Sequence, residues 1–562
     1  MHHHLSLRGK LIIMISVMAS LFLVALDQTI IATALGKIVE DFNAFSSLSW
    51  IVTAYLITTT MTVPIAGKLS DLFGRRTILL VGVAIFVLAS LGSGMSANIT
   101  DLIIWRAVQG IGGGIITANA FTIVGDLFAA RERGRWQGLI GAVFGLSSVV
   151  GPLLGGWLTD GQSIFGLTTD WRWTFYINIP VGIVAFILIA IYCPALRHAT
   201  KAKIDYAGAA LLSVSLATLI LAVDNTETIF ADLMSATGLT LVGLRVIMFS
   251  IVAVALSAFI YVEHKAKQPI LPLRFFKNYN YVSILVIALL FGAAFMGSIL
   301  YLTQFNQQVF GATPTESGMM LLPMVGGIML SSITSGQIIS RTGRYKIFMQ
   351  VGFVVATLAM IALSFLNPEM PYLYEAIVMV ILGLGLGVAM PILNLAIQNE
   401  VEQKDLGVAT SSSQLFRSLG STIGTAVFGA MLTAGIMTHV PAMQETAYIQ
   451  SLAKSEQVAQ IGDLGDPSTL LTLNMPDMKE RVSNAVETQF DALPAQAGEA
   501  ARETFAKNQV EFSSKVTHAF SESLQRIFIV ASSLIGLSVV FVFTLREKKL
   551  RSATPESTPG EE

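Results

Sequence analysis

Three groups of residues in this chain have the types and spacing to do chemistry. The first is Asp27, a lone carboxylate in the apolar stretch LVALDQTIIATAL (23–35). The second is Arg106, with Gln109 three residues on, in LIIWRAVQGIGGG (102–114). A charge among apolar side chains is costly unless it is paired or faces water, so both are candidates for a proton or substrate path. The third is GKLSDLFGRRTIL (67–79), where Asp71 precedes Arg75 and Arg76. Its glycines, Gly67 and Gly74, let two helix ends meet across a short turn. Asp71 with Arg75 and Arg76 can then latch neighbouring helix ends through charge pairs and helix-terminus contacts. The sequence has no P-loop, no metal-ligand cluster and no nucleophile–base spacing, so neither ATP coupling nor catalysis is expected. No cofactor and no nucleic-acid partner are expected either.

The elements that must position these residues follow from composition. Of 562 residues, 53% are hydrophobic and 13% charged, and the mean hydropathy is +0.68. Such a chain suits a bilayer rather than water. Crossing a hydrocarbon core of ~30 Å takes about 20 mostly apolar residues as a helix. The run lengths predict fourteen such helices, from 11–35 and 48–68 through 77–98, 102–127 and 136–159 to 408–437 and 524–545. Barrel strands would need only ~10 alternating residues each. Most of the 35 Lys and Arg fall in loops on the side of the N-terminus, which predicts that both termini are cytoplasmic. The start, MHHHLSLRGK, reads as the entry to helix 1 rather than a removable leader, and its histidines enter no site. The single cysteine, Cys193, excludes an internal disulfide.

An internal repeat organises the helices. GQIISRTGRYKIF (336–348) aligns with 67–79 without gaps, matching Gly67/Gly336, Gly74/Gly343, Arg75/Arg344 and Ile78/Ile347. Each loop follows the second helix of a six-helix group. The expectation is therefore an all-α membrane protein of two six-helix bundles: an N-terminal bundle (1–195), two linker helices (196–264), a C-terminal bundle (265–545) and a tail (546–562). Within the second bundle, 438–523 carries twelve acids against six bases, yet its apolar residues recur at helical steps from Val482 to Leu524. It reads as an extracytoplasmic helical insertion whose second member continues into helix 14.

At a rise of 1.5 Å per residue, Asp27 and Arg106 each lie roughly 24 Å above the inner boundary, so the two can pair. A charged partner holds a carboxylate ionised, whereas dry burial without one favours the protonated form. Proton coupling therefore requires that the pairing depend on conformation, and Asp27 is expected to face a cavity. Arg417, near mid-membrane in SSSQLFRSLGSTIG (411–424), is expected to line that cavity. No second acid stands out deep in the bundles. Thr29, Asn119 and Gln109 complete the candidate path, although interhelix hydrogen bonding is the commoner use of such amides.

Helix 5 adds GLSSVVGPLLGG (145–156), where Gly151, Pro152, Gly155 and Gly156 make a bendable helix with a smooth face. The 67–79 loop, the helix-4 and helix-5 stretches, LDQTIIATAL, DWRWTFYINIPVG (170–182) and the fourteen spans resemble the major facilitator superfamily. Within it the chain looks like the 14-spanner drug:proton antiporters. That resemblance implies proton-driven export of small lipophilic substrates by alternating access from an inner membrane. It assigns Asp27 to the proton and substrate path, Arg106 to proton transfer, Asp71 with Arg75 and Arg76 to a conformational latch, and Gly151–Gly156 to the antiport hinge. Asp126 is the implied latch partner of the arginines. Two positions depart from the pattern: Gly36 stands where a Pro is usual, and Ser340 where the second latch would carry its Asp.

With one deep acid, the expected substrates are monovalent cationic, zwitterionic or neutral lipophilic drugs, in a cavity that can also tolerate anions. An exporter of an endogenous lipid, siderophore or peptide shares these features. A scaffold or receptor working through 438–523 is the alternative of another class. The same segment could dock a periplasmic adaptor.

Overall fold

The computed structural model describes residues 7–42, 48–159, 161–164, 166–194, 204–223, 226–453, 464, 467–491 and 494–550. The opening histidines, the loop bases Arg197, Lys201 and Lys203, and tail residues 551–562 lie outside them. Among the described residues, fourteen helices are long and apolar enough to cross a membrane. They are α1 (Leu7–Phe42), α2 (Leu48–Phe73), α3 (Arg75–Gly94), α4 (Ile99–Leu127), α5 (Ala130–Thr159), α6 (Asn178–Tyr192, after a turn at Trp173–Tyr176) and α7 (Tyr206–Val223). Then follow α8 (Leu241–Lys265), α9 (Tyr279–Gln308), α10 (Leu322–Thr342), α11 (Lys346–Leu363), α12 (Tyr372–Gln398), α13 (Leu406–Met437) and α14 (Ala495–Thr544). Several run past the apolar stretches that predict them, because polar residues at their ends still satisfy backbone groups helically. The chain end of α1 is one case: with Gly36 in place of Pro, the helix continues to Phe42.

Helices α1–α6 share one apolar core around Val17, Leu21, Phe86 and Phe121, while α9–α14 share another around Phe291, Phe353 and Leu386. The linker helices α7 and α8 pack mainly on each other and on α2. Cys193, just past α6, is buried, which pushes its thiol up to about 12 and leaves it inert at neutral pH.

The bundles meet along two seams, α5 on α10 and α2 on α13. Small residues bring the backbones together. A β-carbon on Gly138 would collide with the Ser332 carbonyl, and one on Gly336 with the Gly134 carbonyl. Ser332 Oγ donates to Gly138 O at 2.8 Å across the same contact. On the other seam a β-carbon on Gly67 would lie 2.6 Å from Ser411 Cβ. Both seams are closed at the end that carries the 67–79 loop, termed the latch side below.

The 438–523 segment folds on the opposite side. Short helices at Val440–Gln444, Ala447–Ala453, Pro467–Leu473 and Pro476–Asp491 lead into α14. The 50 residues of α14 span roughly 75 Å, more than twice the hydrocarbon core, so its first part stands outside as one rod with the membrane part. Leu470, Leu473, Val482, Phe512 and Val516 extend the second bundle's core into this insertion. Asn474 ties it down, donating to Gln308 O at 3.0 Å and accepting from Ser513 at 2.7 Å.

Because the seam has no room for side chains, Gly336→Val should loosen closure of the latch side by about 1–3 kcal/mol, the ordinary cost of overpacking. Cross-linking yield between cysteines placed across α5 and α10 should fall; an unchanged yield would show that the seam tolerates the added volume.

Candidate functional site

Asp27 sits on α1 with 0% exposure, and its carboxylate is held by three side chains from two other helices. Arg106 Nη1 of α4 donates to Oδ2 at 2.5 Å. Gln109 Nε2, one turn along α4, donates to Oδ1 at 2.8 Å, and Asn178 Nδ2 of α6 reaches the same oxygen at 3.3 Å. Gln109 and Asn178 both also donate to Ser90 Oγ of α3. The guanidinium is fixed in turn: Nη1 donates to Gln109 Oε1 at 2.8 Å, Nε reaches Ile51 O at 3.4 Å, and the group lies 4.4 Å from the Tyr55 ring and 5.8 Å from that of Phe175. A charge pair in hydrocarbon needs partners for its remaining donors and acceptors, and this shell supplies them for Arg106 Nε and Nη1 and for both Asp27 oxygens.

The expectation that Asp27 faces a cavity is corrected here. The pair points into its own bundle, toward α3 and α6, and Asp27, Arg106, Gln109, Ser90 and Asn178 are all sealed from solvent. The depth argument places two residues at one level, but only packing decides which face of α1 turns inward. Sequence reasoning also misses Ser90, Asn178 and Tyr55. Asn178 was legible in part, being the amide within the DWRWTFYINIPVG stretch.

The remaining path candidates scatter. Thr29 leaves the Asp27 shell and donates to Ser147 O of α5 at 3.0 Å, beside Gly151. Asn119 donates to Ile115 O at 2.8 Å within α4, and its Oδ1 has no partner. Arg417 lies on α13 in the other bundle, half-buried, with Gln414 Oε1 as its acceptor and the Phe144 ring of α5 at 5.7 Å. A second buried acid corrects the count of one: Glu375, with 0% exposure in the first turn of α12. The Asn306 amide of α9, turned with its nitrogen inward, donates to both Glu375 oxygens at 3.0 and 2.9 Å. A first-turn acid reads from sequence as interfacial, and packing of α9 against α12 is what buries it.

The latch residues converge. Gly74 takes φ 97°, a conformation that favours glycine, so that α2 can end and α3 begin at once. Arg75, 1% exposed, pairs with Asp71 and donates from Nε to Asp126 Oδ2 at 2.7 Å and from Nη1 to Ser70 Oγ at 2.6 Å. Asp71 then crosses the seam: its oxygens accept from Gly407 N at 3.2 Å and Val408 N at 3.1 Å, at the N-terminus of α13. A carboxylate there complements the helix dipole and free N–H groups. Arg76 does a different job, donating to Ala190 O near the end of α6.

The repeated loop has no such triad. Ser340 supplies no carboxylate and Arg344 is exposed. Glu400, just past α12 as Asp126 is near the end of α4, is instead paired with Lys548 at 2.5 Å and accepts from Asn278 and Asn280 at 2.9 and 3.0 Å. Tail residues 546–550 thus pack onto the second bundle, and Leu550 N donates to Gly343 O.

The helix-5 glycines lie against both bundles. A β-carbon on Gly151 would come within 2.6 Å of Thr29 Cβ on α1, while Pro152 and Gly156 meet Gly318 and Thr315 at the entry to α10, and Gly155 is buried.

Two six-helix bundles joined by glycine seams, with a charge latch after the second helix, have counterparts among known proteins. The family model described as Major Facilitator Superfamily matches residues 17–425. This chain belongs to that superfamily. The transporter is 34% identical over 549 residues to the multidrug transporter protein MdtP of Bacillus subtilis (strain 168), covering 97% of this chain and 94% of that one. It is 35% identical to multidrug resistance protein 3 of the same organism, over 75% of this chain and 79% of the relative. In fold it resembles the human organic anion transporter MFSD10, with a TM-score of 0.55 at 13% identity over 93% of this chain and 99% of that one. The transporter is a multi-pass membrane protein whose family handles small substrates within the membrane.

Removing Arg75 strands two buried carboxylates, so Arg75→Ala should destabilise the transporter by about 3–5 kcal/mol. Arg76→Ala loses a single carbonyl contact and should cost about 1 kcal/mol. Thermal unfolding of the two variants in the same detergent checks the ranking; equal losses would mean that the triad is not the stronger tie.

Proposed function

We propose that the transporter exports lipophilic drugs in exchange for protons, by alternating access, from an inner membrane with both termini cytoplasmic. The observation that carries this reading is the sealed Asp27–Arg106 pair. A carboxylate at 0% exposure, paired to an arginine and oriented by two amides, can take a proton only when the pair is separated and water reaches it. Its protonation is then tied to conformation, which is what coupling requires. Gln109 and Asn178 hold the acceptor geometry, and Ser90 holds Gln109 and Asn178.

The latch supplies the second half of a cycle. With Asp71 bound to the N-terminus of α13, the latch side is shut; breaking those two N–H contacts and the glycine seams lets the bundles part there. The helix-5 glycines and Pro152 lie between Thr29 of the proton-bearing helix and the start of α10. Bending there is the route by which a change at α1 reaches the seam. Bases crowd the latch side, in keeping with a cytoplasmic location. Relatives that bear the names multidrug transporter and multidrug resistance protein support the substrate class. The insertion on the other side is the surface that a periplasmic adaptor would meet.

The test is pH-jump-driven efflux from proteoliposomes against a panel of cationic, neutral and anionic compounds. Asp27→Asn should lower gradient-driven transport about 5- to 150-fold, the span of ordinary coupling free energies, while substrate exchange without a gradient persists. Wild-type activity and coupling in the variant would reject the role of Asp27.

A further inference from the structure

Within the two bundles, buried arginines are matched to acceptors. Arg106 has Asp27, Arg75 has Asp71 and Asp126, and Arg133 donates to the carbonyls of Gly125 and Phe128 at 2.7 and 3.1 Å. Arg417 differs. It stands eleven residues into α13, roughly 16 Å from the latch-side end of that helix, and pairs with no carboxylate among the described residues. Among the described residues its acceptor is a neutral amide oxygen, Gln414 Oε1. A full charge at that depth is costly without an anion.

The surroundings hold this cation still and leave it available. Gln414 cannot turn away, because its amide nitrogen donates to Asn394 Oδ1 at 3.2 Å. The backbone is pinned as well. Gly292 of α9 packs flush on the Arg417 carbonyl, and Ser421 Oγ donates to both Gly292 O and Arg417 O at 3.1 Å. Across the seam, Phe144 of α5 faces the guanidinium and stacks on Phe121 of α4 at 6.5 Å. Next in sequence, Ser418 meets Thr60 of α2 at 3.2 Å. One oriented guanidinium, half-buried, thus lies on the interface between the bundles beside a pair of aromatic rings.

We propose that Arg417 is the recognition point for an acidic group on the exported molecule, with Phe144, backed by the buried Phe121, receiving the ring system that bears it. A guanidinium fork matches a carboxylate in geometry, and a charge-assisted pair in a water-poor site is worth more than a neutral hydrogen bond. The substrate class is therefore amphipathic aromatic carboxylates, zwitterions included. This deepens the export reading and rests on it. Arg417 is distinct from the proton site, which lies in the other bundle and has its own arginine.

The experiment uses the full chain in proteoliposomes with a matched pair of probes: a rhodamine dye with a free carboxylate and the methyl ester of the same dye. Arg417→Gln should raise KM for the acid about 10- to 100-fold, the loss expected for a hydrogen-bonded charge, and leave KM for the ester unchanged. Arg417→Lys, which keeps the charge without the fork, should fall between. Equal changes for acid and ester, or no change for either, would overturn the proposal; unaltered ester transport also reports that the variant is folded. Should the wild-type protein move neither dye, the export reading fails instead. Equilibrium binding of acid and ester to the purified chain then decides on Arg417 by the same contrast.

Discussion

A guanidinium in hydrocarbon is costly without an anion, and a carboxylate there is costly without a cation or a proton. Much of the N-terminal bundle follows from satisfying this rule twice. At one level Arg106 and Asp27 draw α1, α3, α4 and α6 around a shared set of amides and one hydroxyl, since each remaining donor must find an acceptor before water is shut out. Lower down, Arg75 gathers the ends of α2 and α4 by the same logic. Each centre pairs its arginine with at least one carboxylate and so ties together the helices that carry them.

Movement is left to the seams, which are built in the opposite way. There the contacts are carbonyl against glycine and hydroxyl against backbone, with almost no charge. Such surfaces fit closely when shut and leave no stranded ion when they part. Asp71 is the exception that joins the two systems, because it belongs to the Arg75 centre yet binds the N–H groups of the opposite bundle. Breaking its contacts exposes a helix N-terminus rather than a bare charge, and water can replace them.

The two halves share architecture without sharing electrostatics. Gly343 keeps the positive φ of Gly74, but its ψ is 8° rather than 142°, and the next helix starts at Lys346 rather than at once. The carboxylate near the fourth helix end is also kept, as Glu400, but its cation comes from Lys548 of the tail rather than from the turn. The second bundle therefore has its own end sealed by a segment in cis, while the latch across the seam stays one-sided. On the far side the insertion and α14 form one body with that bundle, through Asn474, Gln308 and the shared apolar core.

The sequence by itself determined the number of spans, the two-bundle plan and the latch. Length and hydropathy are local properties, and the spacing of Asp71, Arg75 and the two glycines dictates its own turn. It also placed Asp27 and Arg106 at one depth, since helical rise is fixed. Tertiary structure alone decided which way those side chains point: rotation about a helix axis depends on packing, so the pair faces Ser90 and Asn178 instead of the seam. The same cause separated Thr29 and Asn119 from the pair, hid Glu375, and left Arg417 without a carboxylate partner among the described residues. Depth is written along the chain, but facing depends on partners hundreds of residues away.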